Sequence, residues 1–237
     1  MASGCLCSQL MGGEMDLCQE CIGHLWLFER LTPEELGVLA ERAMRKVFDP
    51  GDIIFQQGDP ADKMFLIKGG RVRLDKITED GSDFFLDIRK AGDFIGEYMF
   101  SEQESAFPVS ATCMERTLIC GFSREIFDSL VREYPNIGLE VIKRMSEQVA
   151  SLTARVGSMS KANLEDRLYS VLSTVAREHG RESAEGYLIQ FPLTHEDLGF
   201  LVGAHRVSIT RAMKGLKQSG RIIKQGSTLL VPFGLSS

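Results

Sequence analysis

The chain has 237 residues, with 27 Lys+Arg against 33 Asp+Glu and a net charge of −6. Hydrophobic residues make up 43% and charged residues 25%, ordinary globular usage that excludes a disordered chain. No run nears the ~18 apolar residues of a membrane-spanning helix, and residues 1–16 lack the basic and apolar regions of a secretory signal, so a cytoplasmic protein of one or two domains is expected.

Residues 1–24 are small, polar and Cys-rich, and form an appendage. The six cysteines are Cys5, Cys7, Cys18, Cys21, Cys113 and Cys120, four of them in the first 21 residues. In a reducing compartment such clustering points to metal binding or redox sensing rather than a disulfide framework. Cys18 and Cys21 form a chelating pair, because two intervening residues let both thiolates reach one centre. The alternative for any single Cys is a small buried hydrophobe, and that reading suits Cys113.

From about 45 to 123, short apolar runs alternate with turn residues. The runs are 53–55, 64–67, 72–74 and 84–88; the turns include Pro50-Gly51, Gly69-Gly70, Asp80-Gly81 and Gly92-Asp93. Many short strands at this spacing predict an antiparallel sandwich or jelly roll over 25–134.

The period then changes. Over 135–162, Ile142, Met145, Val149, Leu152, Val156 and Met159 recur at alternating spacings of three and four. That is an a/d seam with no charge on it, which predicts a long dimerisation helix. Packing of the helix on its own domain's core is the alternative. A second amphipathic helix follows within 163–190, carrying Leu164, Leu168, Val171, Leu172 and Val175 on one face.

Residues 193–220 hold the densest motif. Thr194 N-caps a short helix through Leu201, Gly203 supplies a turn, and a second helix runs from about His205 to Gln218. A closing hairpin follows over 221–231. This is a winged helix-turn-helix, whose second helix enters a major groove. Charge separates it from a hairpin that only packs. Residues 161–237 carry ten basic and seven acidic residues, net +3, while the remainder carries −9. Residues 198–237 carry six basic residues and no acid, a local footprint for phosphates.

Taken together, Phe55-Gln56-Gln57-Gly58-Asp59, residues 65–69 (Phe-Leu-Ile-Lys-Gly), residues 92–97 (Gly-Asp-Phe-Ile-Gly-Glu) and the helix-turn-helix resemble the CRP/FNR family of bacterial transcription regulators over about 25–235. The resemblance implies an α+β chain: an N-terminal cyclic-nucleotide-binding-like jelly roll, a dimerisation helix over 135–162, and a winged helix-turn-helix over 163–237. It also implies a homodimer on double-stranded DNA that contacts RNA polymerase if it activates, with no enzymatic activity. No P-loop, nucleophile motif or His/Asp/Glu constellation argues otherwise.

Cyclic nucleotide members hold the phosphate with an Arg after the Gly-Glu motif. Here Glu97 to Glu115 contains no Lys or Arg, and Glu102 and Glu104 would repel a phosphate, so cyclic AMP is not expected. Haem is weakly supported, since His24 alone among four His precedes the DNA-binding region and no Cys-x-x-Cys-His occurs. The oxygen-sensing FNR proteins are closest in cysteine placement. Cys18 and Cys21 match two of their N-terminal ligands, and Cys120 matches the distant one. Those proteins carry a further Cys soon after the pair, which is absent here, so Cys5, Cys7 or His24 would complete a four-iron iron–sulfur site. A thiol–disulfide switch or a zinc site uses the same residues. The alternative is a small organic effector in the jelly-roll pocket, with the cysteines only modulating.

In the recognition helix, Arg206, Val207, Ser208, Thr210 and Arg211 occupy the exposed start. Arg211 is the best base reader, through guanine O6 and N7. Val207 replaces the acid common in the family and suits a thymine methyl, which predicts an A·T-rich half-site of TTAA type. Ser208, Thr194 and Lys214 are expected on phosphates.

Overall fold

The structure, a computed structural model, describes residues 32, 42–79, 81, 83–101, 105–159 and 163–233, without the side chains of Asp83, Arg155, Ser158 and Met159. Residues 1–24, with Cys5, Cys7, Cys18, Cys21 and His24, lie outside the described residues. The chain divides into two compact units, 1–146 and 147–237.

Among the described residues the first unit holds eight strands: β1 (Met44–Phe48), β2 (Ile53–Phe55), β3 (Lys63–Gly69), β4 (Arg71–Ile77), β5 (Asp83–Lys90), β6 (Phe94–Ile95), β7 (Ser110–Cys113) and β8 (Thr117–Ser123). They form two four-stranded sheets, ordered β1-β8-β3-β6 and β2-β7-β4-β5, with every pairing antiparallel. The jelly roll expected from turn spacing is therefore present, and each of the four apolar runs falls within a strand. Alternation decides which side chain goes where. Phe65, Ile67 and Ile119 of the first sheet meet Phe55, Val72 and Leu74 of the second, and Phe107 stacks on Phe55 with centroids 3.9 Å apart. The opposite face of the first sheet, with Met64, Leu66, Cys120 and Phe122, packs on two helices.

Those helices are α1 (Arg124–Glu133) and α2 (Pro135–Met159). Ser123 caps α1 by accepting from the Ile126 amide. Helix α2 starts at the Pro where the period changed, as a Pro at N1 favours. Ile137 and Val141 of α2 are buried in the core of the first unit and Met145 is half-buried against it. Ile142, Val149, Leu152 and Val156 are 61%, 62%, 46% and 67% exposed. Met145 thus serves the helix's own domain, and the rest of the described seam does not. Packing on the helix's own domain, the alternative weighed for this helix, therefore holds for one face, and another apolar face stays exposed. Met159 lies in α2, but its side chain is outside the described set.

The second unit, after the end of α2, holds α3 (Leu164–His179), β9 (Arg181–Glu182), β10 (Gly186–Ile189), α4 (His195–Val202), α5 (Arg206–Gln218), β11 (Ile223–Gln225) and β12 (Thr228–Pro232). The strands form one antiparallel sheet ordered β11-β12-β10-β9. The closing hairpin β11–β12 is the one expected from the sequence, whereas β9 and β10 leave no signal there. Two and four residues are too short for a periodic signal, and β9 is polar and exposed. Helix α3 buries Leu168, Val171 and Leu172 as expected, and also Ala176 and His179.

Candidate DNA-binding site and sensor cysteines

Helix α4 opens with a capping box. The Thr194 hydroxyl accepts from the Asp197 amide at 3.0 Å, and the Asp197 carboxylate accepts from the Thr194 amide at 2.8 Å. Asp197 is buried, so this acid belongs to the fold. The helix ends at Gly203, which has φ +66 in the left-handed region that glycine supplies at low cost. Gly199 has a different role: a Cβ there would lie 2.6 Å from the Ala204 carbonyl oxygen. The α4–α5 turn therefore runs against the bare backbone of α4.

Helix α5 begins at Arg206, one residue later than read from sequence, with His205 as its N-cap. Ile209, Ala212, Met213 and Leu216 are buried. At 100° per residue this leaves one opposite face, on which Arg206, Val207, Thr210, Arg211 and Lys214 are all exposed. Val207 is 64% exposed at the middle of that face. Ser208 falls at its edge and is half-buried. Among the described residues, Arg206, Arg211, Lys214, Lys217 and Lys224 form no ion pair.

The sixth basic residue after 198 has another task. Arg221 Nη1 binds Asp166 at 2.7 Å, and its guanidinium lies 4.1 Å from the Tyr169 ring centroid. It fastens the segment before the wing to α3, so the phosphate footprint holds five cations.

His195 was not singled out from sequence. Its Nδ1 lies 2.9 Å from Thr210 Oγ1, and that hydroxyl donates to the Arg206 carbonyl at 3.0 Å. The Thr210 oxygen is then the acceptor, so His195 donates from Nδ1 and braces α4 to α5. Burial holds its imidazole below the ordinary His range, and Lys217, Arg206 and Lys224 push it further down. No motif marks this contact, because the two residues meet only after the turn is formed.

The two described cysteines differ in place. Cys113 lies between the sheets in the jelly-roll interior, and burial raises its thiol above the ordinary value. Cys120 lies on the outer face of the first sheet with Ala43, Phe127, Ile137 and Val141. Its side chain is buried, and the residue pairs with Arg45 near the start of β1. Neither is in a disulfide. Among the described residues no three His, Cys, Asp or Glu gather as a metal site.

In the jelly roll, Arg89 binds Asp87 at 2.5 Å and lies 3.9 Å from Glu97. Burial raises the Glu97 carboxyl above its ordinary value; Arg89 partly offsets this, and Asp87 adds to it. Arg71 is held by Glu115 at 2.7 Å, and Arg124 donates to the Met99 carbonyl. No helix among the described residues is long and apolar enough to cross a membrane.

Comparison with known proteins matches residues 45–134 to the cyclic nucleotide-binding domain and residues 166–235 to the Crp-like helix-turn-helix domain. Electron transport regulator A of Shewanella oneidensis is 27% identical, over 90% of this chain and 86% of its own length. The fumarate and nitrate reduction regulatory protein of Salmonella typhimurium is 25% identical, over 93% of this chain and 88% of its own. Among solved structures, the c-di-GMP-responsive regulator CLP of Xanthomonas campestris superposes with a TM-score of 0.70 at 20% identity, covering 83% of this chain and 97% of that one.

Proposed function

The chain belongs to the CRP/FNR family of DNA-binding transcription regulators, and from that premise we propose that it is a homodimer whose DNA binding answers to oxygen or redox state through thiolates. The family's members are regulators, not enzymes. The observation that carries the sensing proposal is the placement of Cys120. It sits on the sheet face that packs on the dimerisation helix, away from the jelly-roll interior that holds Cys113.

The donor set proposed is Cys18, Cys21 and Cys120, with Cys5, Cys7 or His24 as the fourth ligand. Thiolates at this softness suit an iron–sulfur cluster, which would supply oxygen-sensitive electron chemistry when bound. The protein's own part is mechanical. Cys120 shares its packed layer with Ile137, Val141 and Met145, so a shift at its sulfur is felt first by α2. The relatives named electron transport regulator, anaerobic regulatory protein and fumarate and nitrate reduction regulatory protein favour the same reading. Iron and sulfide analysis of protein purified without oxygen tests it. A brown protein with stoichiometric iron and sulfide is expected, and a colourless one with neither refutes it.

Dimerisation is proposed through the exposed face of α2. Arg206, Val207, Thr210 and Arg211 are proposed at base edges, with Thr194, Ser208 and Lys214 on phosphates. Contact with RNA polymerase belongs to the same reading if the protein activates, as does a cytoplasmic location.

One observation supports a second reading, an organic effector in the sensor pocket: Asp87, Arg89 and Glu97 gather in the jelly roll. The same cluster argues against a cyclic nucleotide, because Arg89 already faces two carboxylates and Arg71 is held by Glu115. Ligand-dependent DNA binding by a colourless protein would select this second reading.

A further inference from the structure

The winged-helix unit contains a cleft of about 220 Å³ whose apolar interior the DNA-binding reading leaves without a role. Its floor is apolar, with Leu172, Ile189, Phe191, Leu198 and Met213 from α3, β10 and the segment after it, α4 and α5. Its mouth is cationic. Lys217 near the end of α5, Lys224 on β11 and His195 at the start of α4 all line it, and no acidic residue does. Lys217 and Lys224 are exposed and, among the described residues, form no ion pair. The hydroxyls of Thr194, Ser227 and Thr228 complete the mouth.

We propose that this cleft binds a small amphiphilic anion, a monocarboxylate with an aliphatic or aromatic body, and that its occupancy opposes DNA binding. Two features fix the chemistry together. An apolar body returns packing contacts to a floor that otherwise lacks them, and a carboxylate head meets the two lysines at the mouth, with the Thr194, Ser227 and Thr228 hydroxyls as further donors. The volume is below the about 300–1,000 Å³ of drug-sized sites, so the occupant is small. A phosphate alone satisfies the mouth and leaves the floor unfilled. The link to DNA follows from position. Lys217 and His195 lie on the two helices of the helix-turn-helix, and His195 braces Thr210. A bound anion neutralises cations that otherwise attract DNA phosphates, so each ligand weakens the other by the same factor. The coupling rests on the DNA-binding reading; the binding site itself does not.

The test is calorimetric titration of the full chain with octanoate, octanol and inorganic phosphate. Octanoate is expected to bind saturably, octanol about tenfold more weakly or worse, and phosphate is not expected to displace octanoate. Two variants place the site: the exposed pair Lys217→Gln with Lys224→Gln removes the head contacts, and Leu229→Trp fills the cleft. Each is expected to weaken octanoate binding about tenfold or more. Absence of saturable binding up to about 1 mM overturns the proposal. So does equal affinity for octanol, displacement by phosphate, or binding that survives either variant. Unchanged DNA affinity with octanoate bound overturns the coupling separately from the site.

Discussion

Val149→Glu separates dimerisation from folding. Val149 is 62% exposed on α2, in line with Ile142, Leu152 and Val156. Full burial of a Val side chain is worth ~1.5–3 kcal/mol, so the exposed part offers about 1–2 kcal/mol per protomer to a partner helix. A two-fold interface counts each residue twice, which makes the loss about 2–4 kcal/mol before any charge is considered. Two glutamates brought together on the seam add desolvation and like-charge repulsion. The dimer should weaken by about 10²-fold or more. The protomer should lose no more than ~0.5 kcal/mol, since the residue packs on little of its own chain. Sedimentation velocity at about 10 μM checks this: a dimer for the parent chain, a monomer for the variant, and a matching drop in affinity for a two-half-site DNA. A variant that stays dimeric refutes the assignment of this face. The absence of charge from the described seam carries a second consequence. The parent protein should remain a dimer without any cofactor, and a mainly monomeric cofactor-free protein refutes that.

Gly199→Val should abolish DNA binding while leaving the first unit folded, because its Cβ would meet the Ala204 carbonyl at 2.6 Å; circular dichroism with a DNA titration checks it, and near-normal affinity refutes the turn argument. Selection from random DNA should return half-sites with an A·T-rich TTAA-type core, and Val207→Glu should shift the selected base at one position per half-site; an invariant central G·C from the parent chain contradicts the Val207 reading. Glu97→Gln should flatten the pH dependence of stability. The folded carboxyl titrates above its ordinary 4.5, so the folded state holds the proton more tightly than the unfolded chain. Stability from this group is full below the unfolded value and is lost as pH rises through the folded one. Urea unfolding at low and neutral pH should show the parent losing more stability than the variant; an equal loss clears Glu97.

Much of this was readable in the residues, for identifiable reasons. The jelly roll announced itself through Gly and Asp turns between apolar runs, and α4, α5 and the wing through a cap, a turn glycine and a charge asymmetry. The period along α2 was legible, but not the partition of its faces. Met145 fits the seam by spacing, yet it lies half-buried against the core of the first unit. Arg221 was counted with the phosphate cations because a net charge does not record Asp166, which is 55 residues away in sequence. His195 was missed because its partner Thr210 lies 15 residues away, and β9 and β10 because strands of two and four residues are too short to leave a period. The overall acidity of −6 pointed away from DNA only as an average, since the acid-free stretch after Asp197 is where the exposed cations gather.

The two described cysteines offer an internal control for the sensing proposal. Cys113 and Cys120 are both buried, so removing either sulfur should cost similar stability, about 1 kcal/mol. Their surroundings differ in one respect. Cys113 packs between the sheets with Val72 and Ile119, whereas Cys120 packs in the layer that holds Ile137 and Val141 of α2. If a thiolate in that layer reports redox state to the dimer helix, then Cys120→Ala and Cys113→Ala will melt alike and respond differently. DNA affinity measured without oxygen and again after exposure to air should change for the parent and for Cys113→Ala, and stay constant for Cys120→Ala. An air response that survives in Cys120→Ala removes this residue from the sensor, whatever the N-terminal cysteines bind. An air response lost in both variants alike would trace to packing, because a general loosening of the jelly roll is the one effect the two substitutions share.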